Sequence, residues 1–546
     1  MTTLDLPRIL PAPQQRAPDA SRQFSPAPAT ATAAPETATA TTATDANVAS
    51  AARAERWSLS TWLLILLAVG SALLGRLCYL ARPFDNDAAI FIYMGKLIGE
   101  GGRLCHDLVD NKFPTVGLLT GVPWRLFGAN WAAYVALQTV MAFVGVAVLV
   151  DIARRHVGRY AMLPTALFGL VFLNFSVGVF GGFQLETIHT FFAILAARAA
   201  LEALRRDTIS DALVVGLAAG MAAMAKPTGL AVAAAFALAT IVHRRRQPTR
   251  IVAHGLAGAA GVAVPAAVTL AYLLASDTLR DMPGLWRQLS AYAANTIWAA
   301  ADLWKPVIVA SLLGFPMIVR AWAFRSHRLA PAERSPVPAV VVLFVMAWLI
   351  VEALGVAMQR RMYGYHFLPL VAPAALLFGM IPRRAHAGQL TMALLPTVLI
   401  STAVAGNVFE HATGSRLAVS EYLAQRASPG AAVWQDCTSR LLLETNLRPA
   451  SRHTLTFLFV NYDAAPLEYS RQMLADFEAT RPEYLVLPAR MEKYLANQWT
   501  QIAELARSPV RRHNYCAAWR SLEAYARQHY QIETFIRGHA VWRRKD

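Results

Sequence analysis

Within Phe84–Pro114, FDNDAAIFIYMGKLIGEGGRLCHDLVDNKFP, the chain gathers Asp85, Asp87, Asp107, Asp110 and Lys112. After Asp87, the apolar residues Ile90, Met94, Leu97 and Ile98 recur at helical spacing. That spacing puts Asp87 at a helix start, where the helix dipole favours its charge. Gly99, Gly101 and Gly102 then end the helix, and a second acidic cluster, HDLVDNKFP, follows. Two acidic sites with a lysine beside them, next to a segment long enough to cross a bilayer, suit a pocket for a polar group carried on a lipid. The plainer alternative is an amphipathic helix lying on a membrane surface with its charges solvated.

The elements that must hold this loop are membrane spans. Of 546 residues 56% are apolar and 16% charged, and the mean hydropathy is +0.37. That balance points to an α-helical polytopic membrane protein. A helix crossing the hydrocarbon core needs about 20 mostly apolar residues. Eleven such windows begin near Thr61, Trp131, Tyr160, Gln184, Ser210, Leu230, Ile251, Pro306, Pro336, Tyr363 and Gly388. The break at Lys226-Pro227-Thr228-Gly229 is either a turn between two spans or a kink in one.

The net charge of +17 raises the question of nucleic acid, but the placement of the charge excludes it. Arg154, Arg155 and Arg159, then Arg205 and Arg206, Arg244 to Arg246, Arg320 to Arg334, and Arg383 and Arg384 fall in alternate loops. The positive-inside rule makes that side cytoplasmic. The N-terminus then lies in the cytoplasm, the C-terminus lies outside, and the acidic stretch becomes the first external loop.

Residues 1–55 are rich in Ala, Thr and Pro and read as a disordered cytoplasmic tail. Residues 56–409 form the membrane domain, with the first external loop over 82–130. Residues 410–546 have soluble composition and predict a small external α/β domain. There GAAVWQD and PEYLVLP read as buried strands, PLEYSRQMLADFEAT and WRSLEAYARQHY as helices, and YQIETFIRGHAVWRR as a closing strand pair. Cys437 and Cys516 share that domain and either pair or remain two thiols. Nothing has CxxC or Cys/His spacing, which argues against a structural zinc site.

The order of an aspartate, an aromatic-rich helix, a glycine pair, HDLVDNKFP and then WRLFGANW resembles the first external loop of bacterial GT-C glycosyltransferases. The relevant members are those related to protein O-mannosyltransferases and lipid A aminoarabinose transferases. Their pattern is an acidic residue, a helix, and roughly G-x-x-x-Y-x-D-x-x-D-x-K-P-P. Asp107, Asp110, Lys112 and Pro114 stand at its D, D, K and last P. GGFQLETIHTFFAILAARAALEALRR resembles the family's span with a glutamate, here Glu186, near its outer end. GLAAGMAAMAKPTGL resembles its glycine-rich span ending in lysine, here Lys226, and RRMYGYHFLPLVAPAALLFG its late external turn, with Arg360, Arg361 and His366. The likeness covers about residues 60–400. It departs at Cys105, where tyrosine is usual, at Phe113, where the first proline stands, and at Ala88, where a second acid often follows.

The resemblance implies a polyprenyl-phosphate-linked sugar as donor and a hydroxyl of a lipid, polysaccharide or protein in the cell envelope as acceptor. It also implies a bacterial inner membrane, with the active site periplasmic. An inverting transfer needs a carboxylate to take the acceptor's proton. Asp87 is assigned that role because it keeps the family's distance to the glycine pair, with Asp85 as its competitor. Lys112, Lys226, Arg360, Arg361 and His366 are assigned to the donor phosphate, and Asp107, Asp110 and Glu186 to sugar or acceptor. No cofactor is required; a divalent metal ion at the acidic residues is left open.

Each assignment has a plainer alternative. Lys112 could snorkel to head groups, Arg360 and Arg361 could bind anionic lipid, His366 could pack, and Asp107 and Asp110 could hydrogen-bond within the loop. Lys226 is harder to set aside, since a lysine near the membrane interior costs about 3 kcal/mol on insertion scales, and Glu186 is one candidate partner. Arg198, toward the cytoplasmic end of its span, reads as snorkelling. From another class, a transporter or flippase of lipid-linked sugars would show paired halves with interrupted helices near the midplane. No internal repeat is visible, and the ionisable residues gather at one face.

Overall fold

The structure is a computed structural model and describes residues 59–77, 80, 86–180, 183–295, 337–359, 364–380, 418–436, 438–502, 505 and 508–545. The tail over 1–55, Asp85, Arg360, Arg361, Cys437 and the windows beginning near Pro306 and Gly388 lie outside these residues. The described membrane part comprises α1 (Leu59–Leu77), a helical pair α2 (Asn86–Gly99) and α3 (Pro114–Phe127), and α4 (Trp131–His156). It continues with α5 (Met162–Phe180), α6 (Leu185–Arg206), α7 (Ile209–Ala225), α8 (Ala231–His243), α9 (Pro248–Ala275), α10 (Met282–Asn295), α11 (Ala339–Gln359) and α12 (Val371–Met380). Among the described residues, α4, α6, α9 and α11 are long and apolar enough to cross a bilayer, and shorter apolar helices include α7.

The break after α7 is a turn. Lys226 leaves the helix in an extended conformation (φ −157°, ψ 130°), and Pro227 opens a single 3-10 turn, Pro227–Leu230. Proline suits a first helical position, where its missing N–H costs nothing. Arg244, just past α8, reaches Asp207, just before α7, with Nη1 to Oδ1 at 3.0 Å. The two helices are therefore an antiparallel hairpin. Gly229 is required by the close return of the chain, because a Cβ there would overlap the Ala222 backbone. The same logic brings α7 against α9, where a Cβ on Gly216 would overlap the Gly258 carbonyl. Small residues are the usual means by which membrane helices approach closely.

The helices alternate in direction, so one end of the bundle collects α2, the start of α6 and the end of α7. The C-terminal ends of α4 and α6 form the opposite end. There Arg198 does not snorkel as expected; it bridges Asp151 (2.9 Å) and Glu202 (2.8 Å), and Arg206 also meets Glu202 at 2.9 Å. Because α6 has 22 residues, the two ends stand about 33 Å apart at 1.5 Å per residue.

The C-terminal region forms a small sheet domain: α13 (Ala418–Arg426), β1 (Ala432–Gln435), α14 (Thr438–Glu444), β2 (Arg448–Pro449), α15 (Ala465–Thr480), β3 (Tyr484–Pro488), α16 (Met491–Gln501), α17 (Pro509–His529), β4 (Tyr530–Ile536) and β5 (His539–Arg544). Strand order is β2-β1-β3-β5-β4. β1 runs parallel to β2 and β3, and β5 runs antiparallel to β3 and β4. Both faces of the central strands are covered, as parallel strands require. Trp434, Leu485 and Trp542 pack with residues of α15 and α17, whereas Val433, Val486 and Val541 join a cluster with α2 and α3.

That second packing overturns the surface-helix alternative for α2. The spacing of Ile90, Met94, Leu97 and Ile98 implies one apolar face, yet every residue from Ala88 to Met94 is at most 4% exposed. The helix is covered by α3 on one side, where Thr120 Oγ1 donates to the Phe91 carbonyl at 2.7 Å. It is covered by the C-terminal domain on another, where Lys96 Nζ donates to the Leu442 carbonyl at 3.1 Å.

Candidate active site

The first turn of α2 presents Asp87, half-buried, whose Oδ2 accepts a hydrogen bond from the Tyr365 hydroxyl at 3.3 Å. Tyr365 lies in the 3-10 turn Gly364–Leu370, and its ring meets the neighbouring His366 edge-on at 4.7 Å. The His366 imidazole Nε2 is 4.0 Å from Glu186 Oε1, and Glu186 in turn accepts from Lys226 Nζ at 2.7 Å. Four segments far apart in sequence thus form one polar line at one end of the bundle. Thr115 Oγ1 ties α3 to this end by donating to the Met224 carbonyl at 2.6 Å.

The local folding explains these positions. Glu186 sits in the first turn of α6, where the positive end of the helix dipole favours a carboxylate. Lys226 is projected by the extended residue that closes α7. Both side chains are mostly withdrawn from solvent, at 5% and 19% exposure. Their pairing matches one of the alternatives raised for Glu186.

The acidic loop divides its residues sharply. Asp107 folds back on the loop, accepting from the Arg103 backbone N–H at 2.8 Å and contacting His106 at 2.6 Å. Partial burial works against its charge, but these hydrogen bonds outweigh it and hold the carboxyl below the ordinary carboxylate range. Asp107 thereby takes the internal hydrogen-bonding arrangement that was the alternative to sugar contact.

Asp110 is buried, 3.5 Å from Lys112 Nζ, and neither of its oxygens has a hydrogen-bond partner among the described residues. Lys112 donates to Asn111 Oδ1 at 2.7 Å and lies 5.9 Å above the Phe91 ring. Burial pushes the Asp110 carboxyl above its ordinary range; the Lys112 ammonium opposes the shift and the Asp87 charge adds to it. The folded state therefore holds this proton more tightly than the unfolded chain, so the stabilisation is complete below about pH 4 and is lost as pH rises. Asp110→Asn is expected to unfold at a higher temperature than wild type at pH 7–8, with the two converging near about pH 4 in detergent melts.

A cleft of about 320 Å³ opens beside Asp110, walled by Cys105, Arg287, Arg452 and Tyr469 from the loop, α10 and the C-terminal domain. Among the described residues, no three His, Cys, Asp or Glu side chains converge as a metal-ligand set.

Two features had not been singled out in the sequence. Tyr365 sits beside His366 in YGYHF, but its partner is 278 residues away. His189, one turn along α6 from Glu186, contacts Glu352 of α11 at 3.1 Å, and Trp348 donates to the same carboxylate at 3.3 Å. All three are fully withdrawn from solvent. Such ionisable groups inside a membrane bundle are rare and usually paired.

Residues 111–272 match the family model described as dolichyl-phosphate-mannose-protein mannosyltransferase. This span includes Lys112, Glu186 and Lys226. Comparison with curated proteins by sequence finds no match. Among solved structures, ArnT from Cupriavidus metallidurans bound to undecaprenyl phosphate matches with a TM-score of 0.58 at 14% identity, covering 89% of this chain and 98% of that one. The apo state of the same protein matches with a TM-score of 0.54 at 14% identity over the same shares. The shared fold extends over both the helical bundle and the C-terminal domain, and the family match falls on the helices that carry Glu186 and Lys226, while Asp87, Tyr365 and His366 lie outside it. On these grounds the chain is a membrane-embedded glycosyltransferase with the fold of the ArnT structures, and its residues 111–272 resemble the mannosyltransferase family.

Proposed function

We propose that the chain transfers a sugar from a polyprenyl-phosphate donor to a hydroxyl of a cell-envelope acceptor, with inversion, at the end of the bundle that carries Asp87. The observation behind this reading is the convergence of Asp87, Tyr365, His366, Glu186 and Lys226 on one end. The donor class is suggested by the ArnT relative, whose structure holds undecaprenyl phosphate.

In the proposed reaction, the acceptor oxygen bonds to the anomeric carbon as the bond from that carbon to the lipid phosphate breaks. The acceptor's proton passes to Asp87. Tyr365 holds Oδ2, which leaves Oδ1 for that proton. The departing charge stays on the lipid phosphate, and cationic or hydrogen-bonding groups stabilise it as it develops. Lys112, Lys226 and His366 are proposed for this role, with Arg360 and Arg361. Asp110 and Glu186 are proposed to border the sugar, Glu186 through its pair with Lys226. Asp107 has its carboxylate occupied within the loop, so any sugar contact by it is secondary.

The arginine-bearing ends of α4 and α6 support a topology with that face cytoplasmic and the site periplasmic, in a bacterial inner membrane. In this topology residues 1–55 are a cytoplasmic tail, 56–409 the catalytic membrane domain and 410–546 an external domain.

The test is to incubate purified protein with labelled polyprenyl-phosphate sugars and a membrane extract, and to identify the molecule that becomes labelled. Label moved to a new acceptor, with free polyprenyl phosphate released, is the expected result. Intact donor crossing a proteoliposome membrane without cleavage would replace this reading with a transporter. Lys112→Ala is expected to raise the KM for donor about tenfold, the loss of ~1.4 kcal/mol from one charge-assisted contact. An unchanged donor KM would indicate that Lys112 only snorkels.

A further inference from the structure

The cleft of about 320 Å³ beside Asp110 has a built frame. One wall is the acidic loop, and three other elements are fastened to that loop. The Val109 N–H donates to the Arg452 carbonyl of the C-terminal domain at 2.9 Å, and the Leu104 N–H donates to the Tyr272 hydroxyl of α9 at 3.2 Å. Phe113 meets Trp286 of α10 edge-on at 5.3 Å. The cleft is thus preformed, as ligand sites usually are.

Its charges are largely spent on one another. Arg280 pairs with Asp277, Arg452 lies 3.7 Å from Asp476, and Glu468 accepts from the Tyr462 hydroxyl at 2.6 Å. Lys112 stands 3.5 Å from Asp110. Among the lining residues, the carboxylates Asp110, Asp281 and Glu468 are balanced by the guanidinium groups of Arg280, Arg287 and Arg452. Cys105 adds no charge, because burial and the nearby Asp281 and Asp110 push its thiol up to about 12. Nothing in this balance selects an anion or a cation.

What remains is hydrogen-bonding capacity of one kind. Asp110 is 5% exposed, and both of its oxygens lack a hydrogen-bond donor among the described residues. Asp281 Oδ2 and Gln288 Oε1 are likewise buried without a donor, although the Gln288 side chain also hydrogen-bonds Tyr469. All three residues line the one cleft, and carboxylate and amide oxygens accept hydrogen bonds. A ligand that displaces water from such atoms must bring donors of its own. A serine or threonine side chain has one hydroxyl and would leave most of these oxygens without a donor, whereas a sugar ring carries several. Tyr462 and Tyr469, whose rings meet edge-on at 6.2 Å, supply the apolar part of the wall. The cleft also adjoins the chemistry, since the Asp87 charge acts on Asp110.

We infer that this cleft holds the acceptor as a neutral saccharide, with hydroxyls donating to Asp110, Asp281 and Gln288 and one further hydroxyl presented to Asp87. The inference rests on the proposed transfer reaction and names its acceptor as a glycan rather than a protein side chain.

Full-length protein in detergent, without donor, is titrated with methyl glucoside, methyl mannoside and methyl galactoside and followed by saturation-transfer NMR. Ethanolamine and an N-acetylated threonine amide are the comparison ligands. Saturable binding of at least one glycoside is expected, tighter than either comparison ligand. Gln288→Leu and Asp281→Asn are each expected to weaken it by about tenfold, the loss of one hydrogen bond to a buried oxygen. Asp87→Asn is expected to bind as wild type. When labelled polyprenyl-phosphate sugar is added to wild type, label is expected on the bound glycoside. Absence of glycoside binding would overturn the inference, as would equal binding of a comparison ligand or undiminished binding by either cleft variant. Label on the threonine amide with the glycosides unlabelled would also overturn it. Glycoside binding by a protein that leaves every donor intact would sustain the saccharide site and count against the transfer reaction alone.

Discussion

Asp87→Asn is expected to lower the rate of sugar transfer by about 10²–10⁴-fold, the range over which a positioned general base contributes. Asn preserves the size of the side chain and can still accept from Tyr365, the 3.3 Å contact that orients the group. The surroundings of α2 from Ala88 to Met94 remain packed as before, so the melting temperature should stay within a few degrees of wild type. The measurement is transfer of labelled donor by purified variant and wild type at equal folded concentration, with detergent melts alongside. A variant that is stable and inactive supports the assignment of the proton to Asp87. Full activity in a stable variant would remove the assignment and leave Asp85 as the remaining candidate in the loop.

Asp107 and Asp110 show how far spacing alone carries. Both match the loop motif equally well in the sequence, yet one is turned outward into hydrogen bonds with Arg103 and His106 and the other is buried against Lys112. The left-handed Cys105, at φ 69°, belongs to the turn that precedes them, and no periodicity reveals it. The helix start at Asp87, the four long apolar helices α4, α6, α9 and α11, and the order of the predicted strands and helices of the C-terminal domain were legible because each is a local pattern. The burial of Ala88 to Met94 was not, because part of the cover of α2 comes from residues such as Leu442, 346 positions away from Lys96. The same reason hid Tyr365 as the partner of Asp87 and Glu352 as the partner of His189, pairs separated by 278 and 163 residues.

The Glu186–Lys226 pair is expected to show the second large effect. Lys226→Met leaves the Glu186 carboxylate, 5% exposed, without its ammonium partner at 2.7 Å. Removing one member of a buried pair typically costs about 3–5 kcal/mol, because the other charge remains desolvated. Glu186→Gln should cost less, since Lys226 is 19% exposed and can reach water. The double variant, neutral at both positions, should recover most of the stability lost by Lys226→Met, because replacing both charges removes the desolvation penalty along with the attraction. Detergent melts of the four proteins give the coupling directly, as the change in stability of the double variant minus the sum of the two single changes. If the pair also serves the donor phosphate, the double variant will be folded and yet poor in transfer, which separates the chemical use of Lys226 from its structural one. Additive effects in the melts would show that water already screens the pair, and Lys226 would then be an exposed cation at the mouth of the site.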